Sequence, residues 1–461
     1  MVFSSLLFLF VFLPIFLGVY YVSPKKFRNL ILLIFSLIFY SWGEPIYVGI
    51  MIFSTIFDFT VGVIIDKYRE NKIIPKLALI TSIVINLGML GFFKYSGFFI
   101  ENINNIFNVN IEILRLALPI GISFYTFQTM SYIIDLYRNK ISVQKNIISF
   151  GSYITMFPQL VAGPIVTYNQ VEKEINSRKE SINEFAYGVT RFIEGLGKKV
   201  LLANGIGELW STVSASGFNK ESVLVYWIGI IAFALQLYFD FSGYSDMAIG
   251  LGSMMGFKFP ENFNYPYVSK SVTEFWRRWH ITLGSWFREY VYIPLGGNRV
   301  SKKRLYFNIL CVWFLTGFWH GAGWNFIVWG LYFGFLMILE KNFLLKYLEK
   351  IPAFISRIYL LFVVLVSWVF FSVDNFRDAI LYLKGMFGLD GKAFVDLNTL
   401  YLISNYWLLI TLGIILSTPI LNKIKKRINL PCKYIIYVFV LILSTAYLVD
   451  STFNPFLYFR F

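Results

Sequence analysis

The sequence predicts an all-α polytopic membrane protein, and three observations carry that prediction. The 461-residue chain is 57% hydrophobic and only 15% charged. Its mean hydropathy is +0.63, outside the norm for soluble domains. From Leu305 to Leu339 it runs 35 residues without one Asp, Glu, Lys or Arg. A helix needs roughly 20 apolar residues to cross a hydrocarbon core of about 30 Å, so this run alone is nearly two crossings.

Taken in order, apolar segments fall at 2–22, 28–42, 46–65, 77–98, 115–136, 147–166, 223–250, 305–339, 355–373, 401–421 and 434–450. They predict about 10–13 transmembrane helices. The first segment lacks the basic flank and small-residue cleavage site of a signal peptide and exceeds the length of its apolar region. It is expected to be a retained span. No linker, low-complexity block or internal repeat is visible, so a single membrane domain over 1–461 is expected.

The formal net charge of +15 raises nucleic acid as a partner class, but the excess sits in short loops. Lys25, Lys26 and Arg28 follow the first span; Lys67, Arg69, Lys72 and Lys76 the third; Arg138, Lys140 and Lys145 the fifth. Alternate loops hold Glu44, then Glu101 and Glu112. This is the positive-inside pattern, so no nucleic-acid partner is expected and the lipid bilayer is the partner instead. The pattern places the N-terminus outside, and Lys423–Lys433 place the C-terminus outside as well. Two cysteines, Cys311 and Cys432, and two histidines make neither a disulfide framework nor a metal-ligand spacing. No metal is expected.

Two stretches break the helical pattern. Residues 259–304 are too charged to span and too aromatic for an ordinary loop. There Arg277, Arg278 and Arg288 alternate with Trp276, Trp279 and Trp286, a mixture suited to interfacial or partly inserted helices. Gly296, Gly297 and Asn298 mark a sharp turn. FPQLVAGPIV, 157–166, is a second candidate for irregular or re-entrant backbone.

The two histidines carry the chemistry. His320 lies inside the uncharged run, bracketed by Gly317, Gly321 and Gly323. Non-helical backbone at membrane depth needs protein or water to satisfy it, so His320 is expected to line a cavity. An intramembrane ionisable residue is a functional hypothesis by default; a histidine that bridges helices by hydrogen bonds is the competing reading. His280 sits in the basic interfacial stretch, where structural and functional readings compete equally. A neutral imidazole suits removal of a hydroxyl proton. Without a G-x-S-x-G elbow or a nucleotide-binding glycine pattern, direct attack of an acceptor hydroxyl on an activated acyl donor fits best. Asp58, Asp135, Asp240 and Asp246 are carboxylates in apolar surroundings that orient a histidine, line a proton path or pair with arginine. The six-residue spacing of Asp240 and Asp246 places them on different helix faces.

LPIGISFYTFQTMSYIIDLYR (118–138), FPQLVAGPIV (157–166), LYFDFSGYSDMAIGLGSMMGF (237–257), FWRRWHITLGSWFREYVYIPLGGNR (275–299) and TGFWHGAGWNFIVWG (316–330) together resemble the membrane-bound O-acyltransferase (MBOAT) family. The resemblance is to its bacterial alginate O-acetyltransferase branch, and the terminal NPFLYFRF is similar too. It covers most of 118–340 and implies a ring or funnel of helices around a central cavity. His320 would correspond to the family's essential histidine and His280 to its second signature position. Sixteen residues of helix from Arg304 would carry His320 about 24 Å inward, past the midplane.

The resemblance implies acetyl transfer from a cytoplasmic donor to a hydroxyl of a cell-surface polysaccharide, in a bacterial cell membrane. Acetyl-CoA or another acyl thioester would serve as co-substrate, with no tightly bound cofactor. An extracytoplasmic relay or transferase protein is an implied partner. Asn325 or a tyrosine would assist; Arg277, Arg288 and Trp279 would meet the donor's anionic groups or form the cytoplasmic mouth; Trp276, Asp240 and Asp246 are further channel candidates. D-alanyl transfer to teichoic acid from an acyl carrier protein, a polysaccharide or lipid transporter, and a non-catalytic scaffold are the alternatives.

Overall fold

The computed structural model describes residues 1–114, 116–161, 163–217, 220–450 and 453–455, so Phe456–Phe461 of the terminal NPFLYFRF lie outside the described residues. All regular structure among the described residues is helical. Among the described residues seven helices are long and apolar enough to cross a bilayer: Val48–Lys67, Ile74–Phe107, Val223–Met254, Trp324–Leu348, Ala353–Ser372, Leu397–Leu416 and Leu430–Asp450. Other apolar segments fold as shorter helices, Phe8–Val22, Arg28–Ser41 and Ile122–Tyr137. Segment 147–166 breaks at Met156 into Ile147–Thr155 and Phe157–Leu160. Pro158 stands in the first turn of the second piece, where its missing N–H costs no helical bond.

Packing divides the chain into two compact units, Met1–Phe192 with Ser245–Pro260, and Ile193–Tyr244 with Glu261–Phe461. Two of the three chain crossings between units fall inside helices, Ile182–Gly197 and Val223–Met254, and the third falls at Pro260–Glu261.

In the first unit, Val48–Lys67, Ile74–Phe107 and Ile122–Tyr137 pack on one another around a buried polar cluster. Asp58 accepts from Ser82 Oγ (2.6 Å) and Asn86 Nδ2 (2.9 Å), while Thr129 Oγ1 donates to Asn86 Oδ1 at 3.3 Å. Buried polar groups with mutual partners hold membrane helices together, which is the structural reading of Asp58. Beside them a phenylalanine cluster of Phe8, Phe12, Phe16, Phe39 and Phe157 closes ring on ring.

In the second unit the uncharged run folds as two antiparallel helices, Lys302–His320 and Trp324–Leu339. The sequence placed the break at the histidine, and the first helix ends on His320. Gly317 and Gly330 let the backbones meet: a Cβ at Gly317 would lie 2.3 Å from Phe326 O, and one at Gly330 would lie 2.3 Å from Trp313 O. Small residues are what such close membrane crossings require.

The interfacial stretch forms four short elements, Pro266–Val268, Val272–Arg278, Ile281–Phe287 and the π turn Arg288–Tyr292, none long enough to span. Gly296 (φ 104°) and Gly297 (φ 57°) make the anticipated turn in the left-handed region that glycine tolerates. Asn308 Nδ2 ties that turn to the His320 helix through the carbonyls of Leu295 (3.2 Å) and Gly297 (3.1 Å).

Candidate active site

His320 is the last residue of its helix and is buried, at 5% exposure. Aromatic rings enclose it: Trp319 at 4.9 Å, Trp329 at 5.0 Å and Phe371 at 5.1 Å between centroids. Leu237, Phe241, Trp279, Trp329, Trp368 and Phe371 join it around a cavity of about 10 Å³, near the size that admits one water. The cavity expected at His320 is therefore present, walled almost wholly by apolar side chains.

His280 is also buried, at 1%, with φ 44°. A left-handed histidine is uncommon, and strain of this kind gathers at functional sites. Paired backbone holds it: Ile281 N–H donates to Asn262 O at 3.0 Å and Asn264 N–H to Arg278 O at 2.9 Å. Its Nδ1 meets Asn262 Oδ1 at 3.2 Å, and its Nε2 is buried without a hydrogen-bond partner among the described residues. Burial lowers its pKa to about 3, because a low-dielectric surrounding disfavours the imidazolium. Phe241 packs on the ring at 4.7 Å and Trp319 at 6.2 Å. Phe241 and Trp319 thus touch both histidine environments.

The short helix before His280 is fixed by Glu340, which is fully buried. Val272 N–H donates to Glu340 Oε1 (2.6 Å), Thr273 N–H to Oε2 (2.9 Å) and Thr273 Oγ1 to Oε2 (2.7 Å). A carboxylate on free amides at a helix start satisfies donors and opposes the positive end of the dipole.

Of the other anticipated residues, Trp279 lines the His320 cavity. Trp276 stands behind it, against Trp313 (4.7 Å), Phe333 (4.9 Å) and Trp329 (5.6 Å). Asn325 donates from Nδ2 to the carbonyls of Phe370 (3.1 Å) and Val373 (3.0 Å), pinning the end of Ala353–Ser372. Arg277 and Arg288 are exposed. Asp240 pairs with Lys199 at 2.7 Å. Asp246, in the first unit, pairs with Arg191 at 2.7 Å. Asn262 and Glu340 escaped sequence reasoning. Asn262 lay unmarked between Glu261 and Phe263, and Glu340 looked like the charge that merely ends the apolar run.

The pattern defining the MBOAT, membrane-bound O-acyltransferase family matches residues 138–377, a span that holds both histidines. A probable alginate O-acetylase of Azotobacter vinelandii is 40% identical over 408 residues, 88% of this chain and 81% of its own. The chain belongs to the MBOAT family. It is therefore a multi-pass membrane O-acyltransferase. Among further relatives, a peptidoglycan O-acetyltransferase of Helicobacter pylori is 36% identical over 436 residues, covering 86% of this chain and 82% of that one. A teichoic acid D-alanyltransferase of Bacillus subtilis is 29% identical over 243 residues, covering 50% and 60%. These MBOAT relatives all carry acyl transfer in their names, which separates the chain from the transporter and scaffold alternatives.

Proposed function

We propose that this MBOAT enzyme moves an acetyl group from a thioester donor on the cytoplasmic side to a hydroxyl of an extracytoplasmic polysaccharide, or to a protein that relays it, within one membrane domain. The observation that carries the reading is the convergence of the chain's two histidines, both buried and sharing Trp319 and Phe241 as neighbours. Acetyl-named relatives span 86–88% of the chain and the D-alanyl relative half of it, which favours acetyl over D-alanyl and polysaccharide over teichoic acid.

His320 acts as general base. Its imidazole takes the hydroxyl proton as that oxygen attacks the thioester carbonyl carbon; the C–S bond breaks, and the histidine returns the proton to the leaving thiolate. General-base catalysis of this kind contributes roughly 10²–10⁴-fold. The apolar walls exclude water that would otherwise hydrolyse the thioester. Trp279 shapes the cavity, Trp276 supports it and Asn325 holds its floor. The exposed guanidinium groups of Arg277 and Arg288 suit the anionic part of a donor such as acetyl-CoA. Asp240 and Asp246 act through their ion pairs.

Incorporation of radiolabelled acetate into extracellular polymer tests the reading, in cells holding wild type, His320→Ala or His320→Gln at equal membrane abundance. Label that falls about 10²-fold or more in both variants supports it. Full transfer by both variants would end the general-base mechanism, and D-alanine label in place of acetate would move the enzyme to the carrier-protein branch.

A further inference from the structure

We propose that Asn262 is a positioning residue that holds His280 as its Nδ1–H tautomer and thereby presents a bare Nε2 acceptor to a hydrogen-bond donor on a substrate. The proposal rests on the acyl-transfer reading above for what the substrate is, but its tautomer half stands on geometry alone.

The orientation of the Asn262 side chain is fixed by Thr282. The Thr282 backbone N–H points at the carboxamide atom 3.2 Å away, and the Thr282 hydroxyl lies 2.9 Å from the same atom. A backbone N–H can only donate, so the atom it meets is Oδ1; a flipped carboxamide would set N–H against N–H. The same oxygen meets His280 Nδ1 at 3.2 Å. Oxygen of a carboxamide can only accept, so Nδ1 carries the proton. In a neutral imidazole the proton is then absent from Nε2, which remains a lone-pair acceptor. Asn262 is itself fully buried, and its backbone oxygen accepts from Ile281 N–H at 3.0 Å. One residue therefore sets both the backbone position and the tautomer of His280.

The Nε2 atom is buried and meets no hydrogen-bond donor among the described residues. A buried acceptor left this way costs about 1–3 kcal/mol, and such a group calls for an explanation in function. Among the described residues the groups against the ring are Asn262, Phe241, Phe263 and Trp319, none of them charged, and burial outweighs the one backbone hydrogen bond that favours the imidazolium. A neutral acceptor in apolar walls takes an O–H or N–H. The acceptor sugar's hydroxyl supplies the first, and an amide in the donor's thioester arm the second.

The test uses the chain's small histidine count. With two histidines in 461 residues, ¹⁵N-histidine labelling of the full-length His320→Ala protein in lipid leaves one imidazole to read. A protonated Nδ1 with an unprotonated Nε2 is expected; the proton on Nε2 would overturn the proposal. Activity is then measured against pH in membranes with a labelled acetyl thioester. Asn262→Leu is expected to lose about tenfold or more at every pH, the scale of other outer-shell orienting groups. Asn262→Asp keeps the acceptor oxygen but adds a negative charge that raises the His280 pKa. Its acid limb should therefore lie at higher pH than in the wild type, where protonation of the His320 base alone sets it. A wild-type profile in Asn262→Asp, or full activity in Asn262→Leu, would overturn the proposal. A KM effect confined to the thioester identifies its amide as the ligand, and one confined to the polymer identifies the hydroxyl. Wild-type activity in His320→Ala would defeat the general-base mechanism and leave the tautomer result standing.

Discussion

Asp240 and Lys199 meet at 2.7 Å with both side chains only 3% exposed. Asp240 lies one residue before Phe241 in the helix that walls the His320 cavity, and Lys199 Nζ also donates to the Pro455 carbonyl. Removing one member leaves the other charge buried, which costs about 3–5 kcal/mol, whereas an apolar pair of similar volume is often neutral. Asp240→Asn is therefore expected to lower thermal stability in detergent far more than the double variant Lys199→Met/Asp240→Leu. Equal losses in the two would show that the pair is not the source of the effect.

Glu340 holds the start of the helix that leads to His280. Glu340→Ala leaves the Val272 amide buried without its acceptor, and hydrogen bonds to a charged group are worth about 1.5–3 kcal/mol each. Loss of both stability and acetyl transfer is expected, although Glu340 touches neither histidine. Glu340→Gln, which retains one acceptor oxygen, should fall between. Thermal unfolding and acetate incorporation on the same membranes measure both; an unchanged Glu340→Ala would remove the carboxylate from the site's support.

Much of this arrangement was legible in the sequence, and the failures have physical causes. The 35-residue uncharged run and Gly317, Gly321 and Gly323 around its histidine marked the break at His320, because apolar length and close backbone approach are one-dimensional signals. The aromatic stretch at 259–304 was correctly read as short helices, since its arginines forbid a span. Segments 28–42 and 147–166 looked like crossings by composition, yet the first folds as a helix of 14 residues and the second as two of 9 and 4 residues, because hydropathy cannot see where helix ends fall. Asn262 and Glu340 act through partners 18–20 and 67–68 residues away. Pairings of that kind are set by packing and leave no local pattern.

The contact between Gly317 and Gly330 leaves no room for a methyl group. A Cβ at either position would fall 2.3 Å from a carbonyl oxygen of the opposing helix, and backbone cannot yield as a side-chain tip does. Gly317→Ala and Gly330→Ala are each expected to cost about 1–3 kcal/mol by overpacking and to displace His320, three residues from Gly317. Gly18→Ala, where nothing lies within 4 Å of the new Cβ, is the matched control. Folded yield and acetyl transfer should fall in the first two and not in the third; three equal outcomes would rule out the crossing as the determinant.

Glu180 gives a pH dependence of defined sign. It lies in the loop after helix Tyr168–Ser177, 2.5 Å from Arg28 Nη1 and 3.8 Å from Arg178 Nε, and accepts from Tyr20 Oη at 3.2 Å. Burial by itself raises its pKa, but the hydrogen bond from Arg28, a backbone hydrogen bond at Glu180, the charge of Arg28 and the hydrogen bond from Tyr20 together outweigh burial and hold the carboxyl below its ordinary value. The folded state therefore binds this proton less readily than the unfolded chain, whose glutamate titrates near 4.3. The stabilisation is fully present above that value and is lost as pH falls through the lower folded value. Glu180→Gln should accordingly melt earlier than wild type at pH 7, with the gap closing below about pH 4.3. Melting curves of both proteins across pH 3–7 check this, and a gap that stays constant on acidification would assign the loss to packing around Tyr20 instead of charge.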